Sequence, residues 1–332
     1  MAMITRRAAL AGLGALAAFP VGAEPGWDGV AQVASGLGQL HALMIAHHGN
    51  VVLAERFRGP ALDRPVNVKS VSKTLVATVL GVAIERGVVP GVDAPLGRIA
   101  PDLIPDGADP RVADLTLADL VTMQAGLERT SGPNYAPWVA SRNWVANALS
   151  RPFVADPGAV MLYSTGSYHV LGAALARAAG ESLLSLTRAW IGRPLGIEVP
   201  SWTRDPQGFY LGGNEMAMSP LAMLRFAEMV RNGGRHGTTQ VLDPGWIGES
   251  FTPRTRSPYS GLDYGYGWFI GQMDGATVAL ARGYCGQVIA VAPERGLSVA
   301  ITSDPTRPAR TDGHFGDLMA LLGSHILPVA RL

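Results

Sequence analysis

The run VSKTLVATVLGVAI, from Val71 to Ile84, is apolar on nearly every side, which marks a helix buried all round. Elsewhere the apolar residues keep to one face. LTLADLVTMQAGL, WVASRNWVANALS, SYHVLGAALARAAG and LLSLTRAWIGRPLG, all between residues 88 and 200, repeat them at helical spacing between short Pro/Gly loops. SPLAMLRFAEMVRNGG (219–234) is a further amphipathic helix, stopped by paired glycines, and GDLMALLGSHIL closes the chain as another.

Other stretches read as strands. LHALMIAHHGNVVLAERF (40–57) places two apolar runs around His48-Gly49-Asn50, a hairpin signal. After residue 264, YGYGWFIGQ, TVALARGYCG, QVIAVAPERG and LSVAITSD are short apolar or alternating runs between turn residues, so they predict a meander of antiparallel strands. Early and late strands most simply join one antiparallel sheet flanked by helices, with the helical middle as an inserted lobe: an α+β layout.

Composition changes this picture little. Hydrophobic residues make up 48% of the 332 and charged residues 16%, a balance that fits a globular chain. A formal charge of +1 offers no basic face for nucleic acid and no acidic tail. The single cysteine, Cys285, excludes an internal disulfide and every multi-cysteine metal motif.

The N-terminus adds an address. TRRAALAGLGALAAFPVGA runs Arg6-Arg7 into an apolar stretch that is broken by Pro20, ends in small residues and is too short to span a bilayer comfortably. Residues 1–23 therefore read as an export signal of twin-arginine type, cleaved after Val21-Gly22-Ala23 to leave a periplasmic chain starting near Glu24. No later run is long and apolar enough for a membrane span.

The chemistry begins with a lysine out of place. Lys73 lies in the first turn of the buried helix, three residues after Ser70, where the helix end is already positive. Residues three apart share a helix face, so Ser70 and Lys73 can point into one space. A serine hydroxyl needs a base within hydrogen-bond reach. Burial and the positive helix end both disfavour the ammonium, so they push its pKa down toward a useful base. The same helix end favours negative charge developing near Ser70. The plain structural alternative is a serine N-cap followed by a lysine that snorkels to water.

With Tyr163-Ser164-Thr165 added, in a short loop before a helix, the chain resembles the serine β-lactamase, penicillin-binding protein and family VIII esterase superfamily. Ser70-x-x-Lys73 resembles its first motif and Tyr163-Ser164-Thr165 its second. PG…YSTGSYHVLG and LTLADLVTMQAGL are similar to its surrounding text, and the likeness covers about residues 40–326. DPQGFYLGGNEMAMSP and YGYGWF are most like the branch of esterases and amide hydrolases that includes 6-aminohexanoate-dimer hydrolase. The resemblance implies a β-lactamase/transpeptidase-like fold over residues 24–332, its α/β part about 24–72 and 205–332 and its helical lobe about 73–204. It also implies hydrolysis of a small ester or amide without a cofactor. Ser70 would be acylated, with Lys73 and Tyr163 as a proton-transfer pair. The lysine would lower the phenol's pKa, and either member could take the serine proton.

The third motif of that superfamily, K-T-G or H/W-x-G, matches less well. Ala281-Arg282-Gly283 fits with its glycine, which would put the backbone N–H of Tyr284 beside that of Ser70 as an oxyanion hole. The other register takes Tyr284-Cys285-Gly286 and the N–H of Gln287; the first leaves Cys285-Gly286 to make the hairpin turn. No lysine or histidine opens the motif, and Arg282 substitutes only if it points into the cleft. Thr165 stands where relatives carry Asn or Ser, so a substrate-binding group there is a hydroxyl rather than an amide. Both departures favour small esters or amides over a β-lactam or D-amino-acid peptide. A non-catalytic exported binder would have no need of the trio.

Rival chemistries find less support. There is no G-x-S-x-G elbow, and His169, on the apolar face after Tyr163, reads as a packed core histidine. His47-His48 has no third metal ligand at useful spacing, so no metal is expected. Arg254 and Arg256 read as a solvated loop, while Trp138, Trp144, Tyr264 and Trp268 are candidates for cleft walls.

Overall fold

A computed structural model describes residues 26–309 and 313–331, so the export signal expected over 1–23 lies outside the described residues. Eight antiparallel strands form one sheet, in the order Asn50–Arg56, Leu40–His47, Leu297–Ser303, Gln287–Ala292, Ala276–Gly283, Phe269–Met273, Asp263–Tyr264, Thr255–Arg256. The N-terminal hairpin thus pairs directly with the last strand, Leu43 opposite Ile301, as the hydrophobic pattern led us to expect. Its tip turns on His48 (φ 47°) and Gly49 (φ 84°), both left-handed, the geometry that matches strand twist in a two-residue connection.

Gln287–Ala292 and Leu297–Ser303 are buried at every position, which explains why they read as continuous apolar runs rather than alternations. The helix Pro220–Arg231 packs across Leu40–His47, Gln287–Ala292 and Leu297–Ser303. Val71–Glu85 lies between the sheet, which it meets at Ala276–Gly283, and the helix Thr165–Ala179 of the helical segment. Every residue from Val71 to Ala83 is buried, as the all-apolar pattern required. At roughly 1.5–3 kcal/mol for each buried Val or Leu, this helix anchors the structure from the middle. Between Asn67 and Ala217 the chain adds no described strand to the sheet.

Two helical stretches depart from the pattern. WVASRNWVANALS gives two short helices, Tyr135–Val139 and Trp144–Leu149, because the Asn143 side chain accepts from the Ala146 N–H and starts a new helix. The indoles stitch the break: Trp138 donates to the Trp144 carbonyl and Trp144 to the Val139 carbonyl. In LTLADLVTMQAGL only Leu117–Val121 is helical, opened by a Thr116/Asp119 capping box and followed two residues on by Met123 at φ 59°.

Candidate active site

Ser70 is set by a kink. Val66–Asn67 pairs with Ala217–Met218, and Lys69 then takes a left-handed φ of 52°, which turns the chain into the helix with Ser70 at its cap position. Such a conformation costs a non-glycine residue of order 1–3 kcal/mol and needs support. Asn67 supplies it by accepting the Lys69 N–H at 2.8 Å, while its own amide donates to Glu215 at 2.5 Å and Lys69 Nζ lies 3.6 Å from that carboxylate. The Ser70 hydroxyl makes no capping bond to the helix backbone. It faces Lys73 instead, so the plain N-cap alternative does not hold.

Lys73 does not snorkel either; it is 2% exposed. Its Nζ lies 2.6 Å from the Gly213 carbonyl, 3.1 Å from Ser70 Oγ and 3.3 Å from Thr165 Oγ1. Burial lowers its pKa from 10.5 to about 7, as the sequence led us to expect. The amine also stands 5.0 Å from the centre of the Tyr163 ring.

Tyr163 lines the same cleft as Ser70. Here the expected direction is reversed. Burial raises the phenol's pKa above 10, and the neighbouring Ser70 hydroxyl and the charge of Arg282 only oppose it, so Tyr163 keeps its proton at neutral pH. The helix that follows is capped from a distance. Its first N–H groups, Thr165 and Gly166, donate to the hydroxyls of Ser131 (2.9 Å) and Thr130 (2.7 Å), and the Thr130 N–H donates to Ser164 Oγ at 3.1 Å. Thr165 is corrected as well. Its hydroxyl lies 3.1 Å from Ser131 Oγ as well as beside Lys73, and the residue is buried, so it touches the amine rather than a substrate.

The third segment arrives on the strand Ala276–Gly283. A Cβ on Gly283 would come within 2.3 Å of the Val68 carbonyl and 3.2 Å of Lys69 Cβ, so only glycine lets this strand press against the chain entering Ser70. Gly283 pairs with Gln287, and the turn is made by Tyr284, Cys285 (φ 68°) and Gly286 (φ 85°). Gly286 instead abuts His314 and Ser303, so of the two registers the one on Gly283 meets the Ser70 segment. Among the described residues, neither the Ser70 N–H nor the Tyr284 N–H has a hydrogen-bond partner. The Tyr284 ring is 61% exposed at the rim.

Ser70, Tyr163, Gly283 and Tyr284 border a cleft of about 570 Å³ whose walls are mostly apolar: Leu262, Phe269, Met273, Phe315 and Met319. Arg282 does point into it, its guanidinium 3.9 Å from the centre of the Phe315 ring and 5.0 Å from that of Phe269. The expected aromatic walls are elsewhere. Trp138 and Trp144 pack on His169, Tyr264 pairs with Tyr168 through their hydroxyls at 2.9 Å, and Trp268 stacks on Phe226. His169 is indeed a core residue, paired with Asp205. Sequence reasoning missed Gly213, Ser131 and Thr130; the paired glycines of LGGNE were the one signal for a close backbone approach.

The family model described as Beta-lactamase matches residues 31–322. The chain belongs to the Beta-lactamase family. Its fold agrees with that assignment: it superposes on a Bacillus anthracis protein described as a 6-aminohexanoate-dimer hydrolase with a TM-score of 0.78 at 16% identity, over 95% of this chain and 88% of that one. EstCE1, a hydrolase with promiscuous acyltransferase activity, gives 0.71 at 19% identity, over 91% and 97%. In sequence the chain is 26% identical to esterase EstB of Burkholderia gladioli, over 61% of this chain and 58% of EstB. It is 28% identical to the D-alanyl-D-alanine-carboxypeptidase/endopeptidase AmpH of Escherichia coli (strain K12), over 44% of this chain and 39% of AmpH. The chain thus matches less than two thirds of either curated relative's length. Family members are hydrolases, esterases and amidases among them.

Proposed function

We propose that this chain is an exported serine hydrolase that cleaves small carboxylic esters or amides in two steps, through an acyl-enzyme on Ser70. The observation that carries the reading is a buried amine, its pKa near 7, within 3.1 Å of the Ser70 hydroxyl. About half of such a lysine is neutral at pH 7 and able to accept the serine proton. Tyr163, still protonated, is the group to hand a proton on.

Ser70 Oγ gives its proton to Lys73 Nζ as the Oγ–C bond forms, and the carbonyl electrons move to oxygen. The unpartnered N–H groups of Ser70 and Tyr284 are the donors for that oxyanion. Collapse breaks the C–O or C–N bond. The leaving alcohol or amine takes its proton from Tyr163, which is refilled from Lys73. Water then attacks the acyl-enzyme by the same route and frees Ser70. The mostly apolar lining favours an apolar acyl or alcohol portion, and the Arg282 guanidinium in the same cleft leaves a place for a carboxylate at one end of it.

Purified protein assayed side by side on p-nitrophenyl acetate, nitrocefin and a D-amino-acid peptide tests the reading. Ester hydrolysis that disappears in Ser70→Ala, with the fold unchanged by circular dichroism, supports it. Activity retained in that variant puts the nucleophile elsewhere, and faster turnover of nitrocefin or of the peptide overturns the ester or amide preference.

A further inference from the structure

The His169–Asp205 pair has no place in the steps above, yet both side chains are completely buried, at 0% exposure, and 3.0 Å apart. Asp205 is firmly held. Its Oδ1 accepts the N–H groups of Gln207 (2.9 Å) and Phe209 (2.8 Å), and its Oδ2 faces His169 Nε2. The other ring nitrogen, Nδ1, accepts the Gly212 N–H across a long 3.4 Å. This arrangement fixes the tautomer. The ring proton sits on Nε2, toward the carboxylate, and the Nδ1 lone pair is left for the backbone. Neither nitrogen remains for Ser70.

Gly212 is followed by Gly213, whose carbonyl takes the shortest of the Lys73 hydrogen bonds. The loop carrying both glycines is pressed onto the helix Thr165–Ala179. A Cβ on Gly212 would come within 2.2 Å of the Tyr168 carbonyl, and one on Gly213 within 3.0 Å of the Thr165 carbonyl. Trp138 and Trp144 meet the His169 ring edge to face, which keeps it in place.

We propose that His169 and Asp205 are positioning residues for the base: through the Gly212 N–H they aim the Gly213 carbonyl at Lys73. This rests on Lys73 being the base, but the geometry can be tested apart from that.

Two substitutions separate positioning from packing. In His169→Asn the amide oxygen takes the place of Nδ1 and still accepts the Gly212 N–H. In His169→Gln the amide takes the place of Nε2, so it keeps Asp205 and loses Gly212. Packing alone favours Gln, the closer match in volume and reach. Asp205→Asn is the near-isosteric probe. With Oδ1 held by two backbone N–H groups, its NH2 faces His169 Nε2, and the ring must move its proton to Nδ1, against the Gly212 N–H; a wrong-tautomer aspartate substitution of this kind is known to cripple a histidine without moving it.

The expected result is that His169→Gln and Asp205→Asn lose about 10- to 100-fold in kcat with little change in KM, the scale of a misplacement of about 1 Å. The rising limb of the pH profile should move to lower pH, because a carbonyl against Nζ favours the ammonium. His169→Asn should keep most of the activity. A crystal structure of Asp205→Asn supplies the readout that does not depend on activity: the Gly213 carbonyl should be displaced from Lys73 Nζ. If Asp205→Asn folds with that hydrogen bond intact, or if Gln at 169 outperforms Asn, the positioning role is overturned even where Ser70-dependent hydrolysis stands. A displaced carbonyl in a protein whose hydrolysis does not depend on Ser70 would uphold the positioning and overturn only the functional reading.

Discussion

Lys73 Nζ sits closer to the Gly213 carbonyl, at 2.6 Å, than to Ser70 Oγ, at 3.1 Å. One N–H is therefore committed to a carbonyl that can only accept, and in the neutral amine the lone pair is free to turn toward the serine. Because the neutral form is the working one, kcat/KM for an uncharged ester should rise with pH through about 7 and then level off. With the Tyr163 pKa raised above 10, no falling limb is expected below that pH. A stopped-assay pH profile checks both; a rising limb near 4 to 5, the carboxylate range, would rule lysine out as the base.

The same burial should cost stability. The folded pKa of Lys73 lies below its unfolded value of 10.5, so between about 7 and 10.5 the folded state holds fewer protons and stability rises with pH. Below that window the protein carries the full penalty of a buried ammonium, about 1.4 kcal/mol for every pH unit that separates the folded pKa from the unfolded one. Lys73→Met should therefore be inactive but more stable, by a margin that is largest at pH 6 and shrinks toward pH 10. Urea denaturation at the two pH values measures this. A margin independent of pH would contradict it.

Gly283→Ala should leave most of the fold in place and lose activity by about 100-fold or more, since the new methyl would press on the Val68 carbonyl two residues before Ser70. Gly286→Ala is the contrasting change, because its methyl meets His314 and Ser303 and its backbone is left-handed. It should lower the melting temperature yet keep more of the activity than Gly283→Ala does. Kinetics and thermal melts of the pair distinguish the two registers of the third motif.

Ser131→Ala removes the acceptor for the Thr165 N–H and a neighbour of its hydroxyl. An unsatisfied buried N–H costs about 1–3 kcal/mol, so the melting temperature should fall by several degrees. KM should change little, because Thr165 touches Lys73 and not the cleft. A large rise in KM with an unchanged melt would return Thr165 to a substrate-binding role.

The buried helix, the terminal hairpin and the late meander were legible because each rests on a local pattern: an all-apolar run, a His-Gly turn, strands spaced by glycines. Ser70 and Lys73 were legible for the same reason, being one helical turn apart. Gly213 was not, since it reaches Lys73 from 140 residues away and offers only a backbone oxygen. The direction of Arg282 and the choice of aromatic walls depended on strand parity. Trp268 stacks on Phe226 in the core while its neighbour Phe269 faces the cleft, and no composition signal separates the two. The direction in which the Tyr163 pKa moves is not legible in the sequence, because burial of the phenol, which only the fold reveals, outweighs the nearby charges.

The most direct measurement is intact-mass analysis after exposure to a fluorophosphonate at pH 8, followed by peptide mapping. One adduct per chain on the peptide containing Ser70, strongly slowed in Lys73→Met and absent in Ser70→Ala, is the expected result. A folded protein that takes no label, or takes it on another serine, would contradict the assignment of Ser70 as the nucleophile.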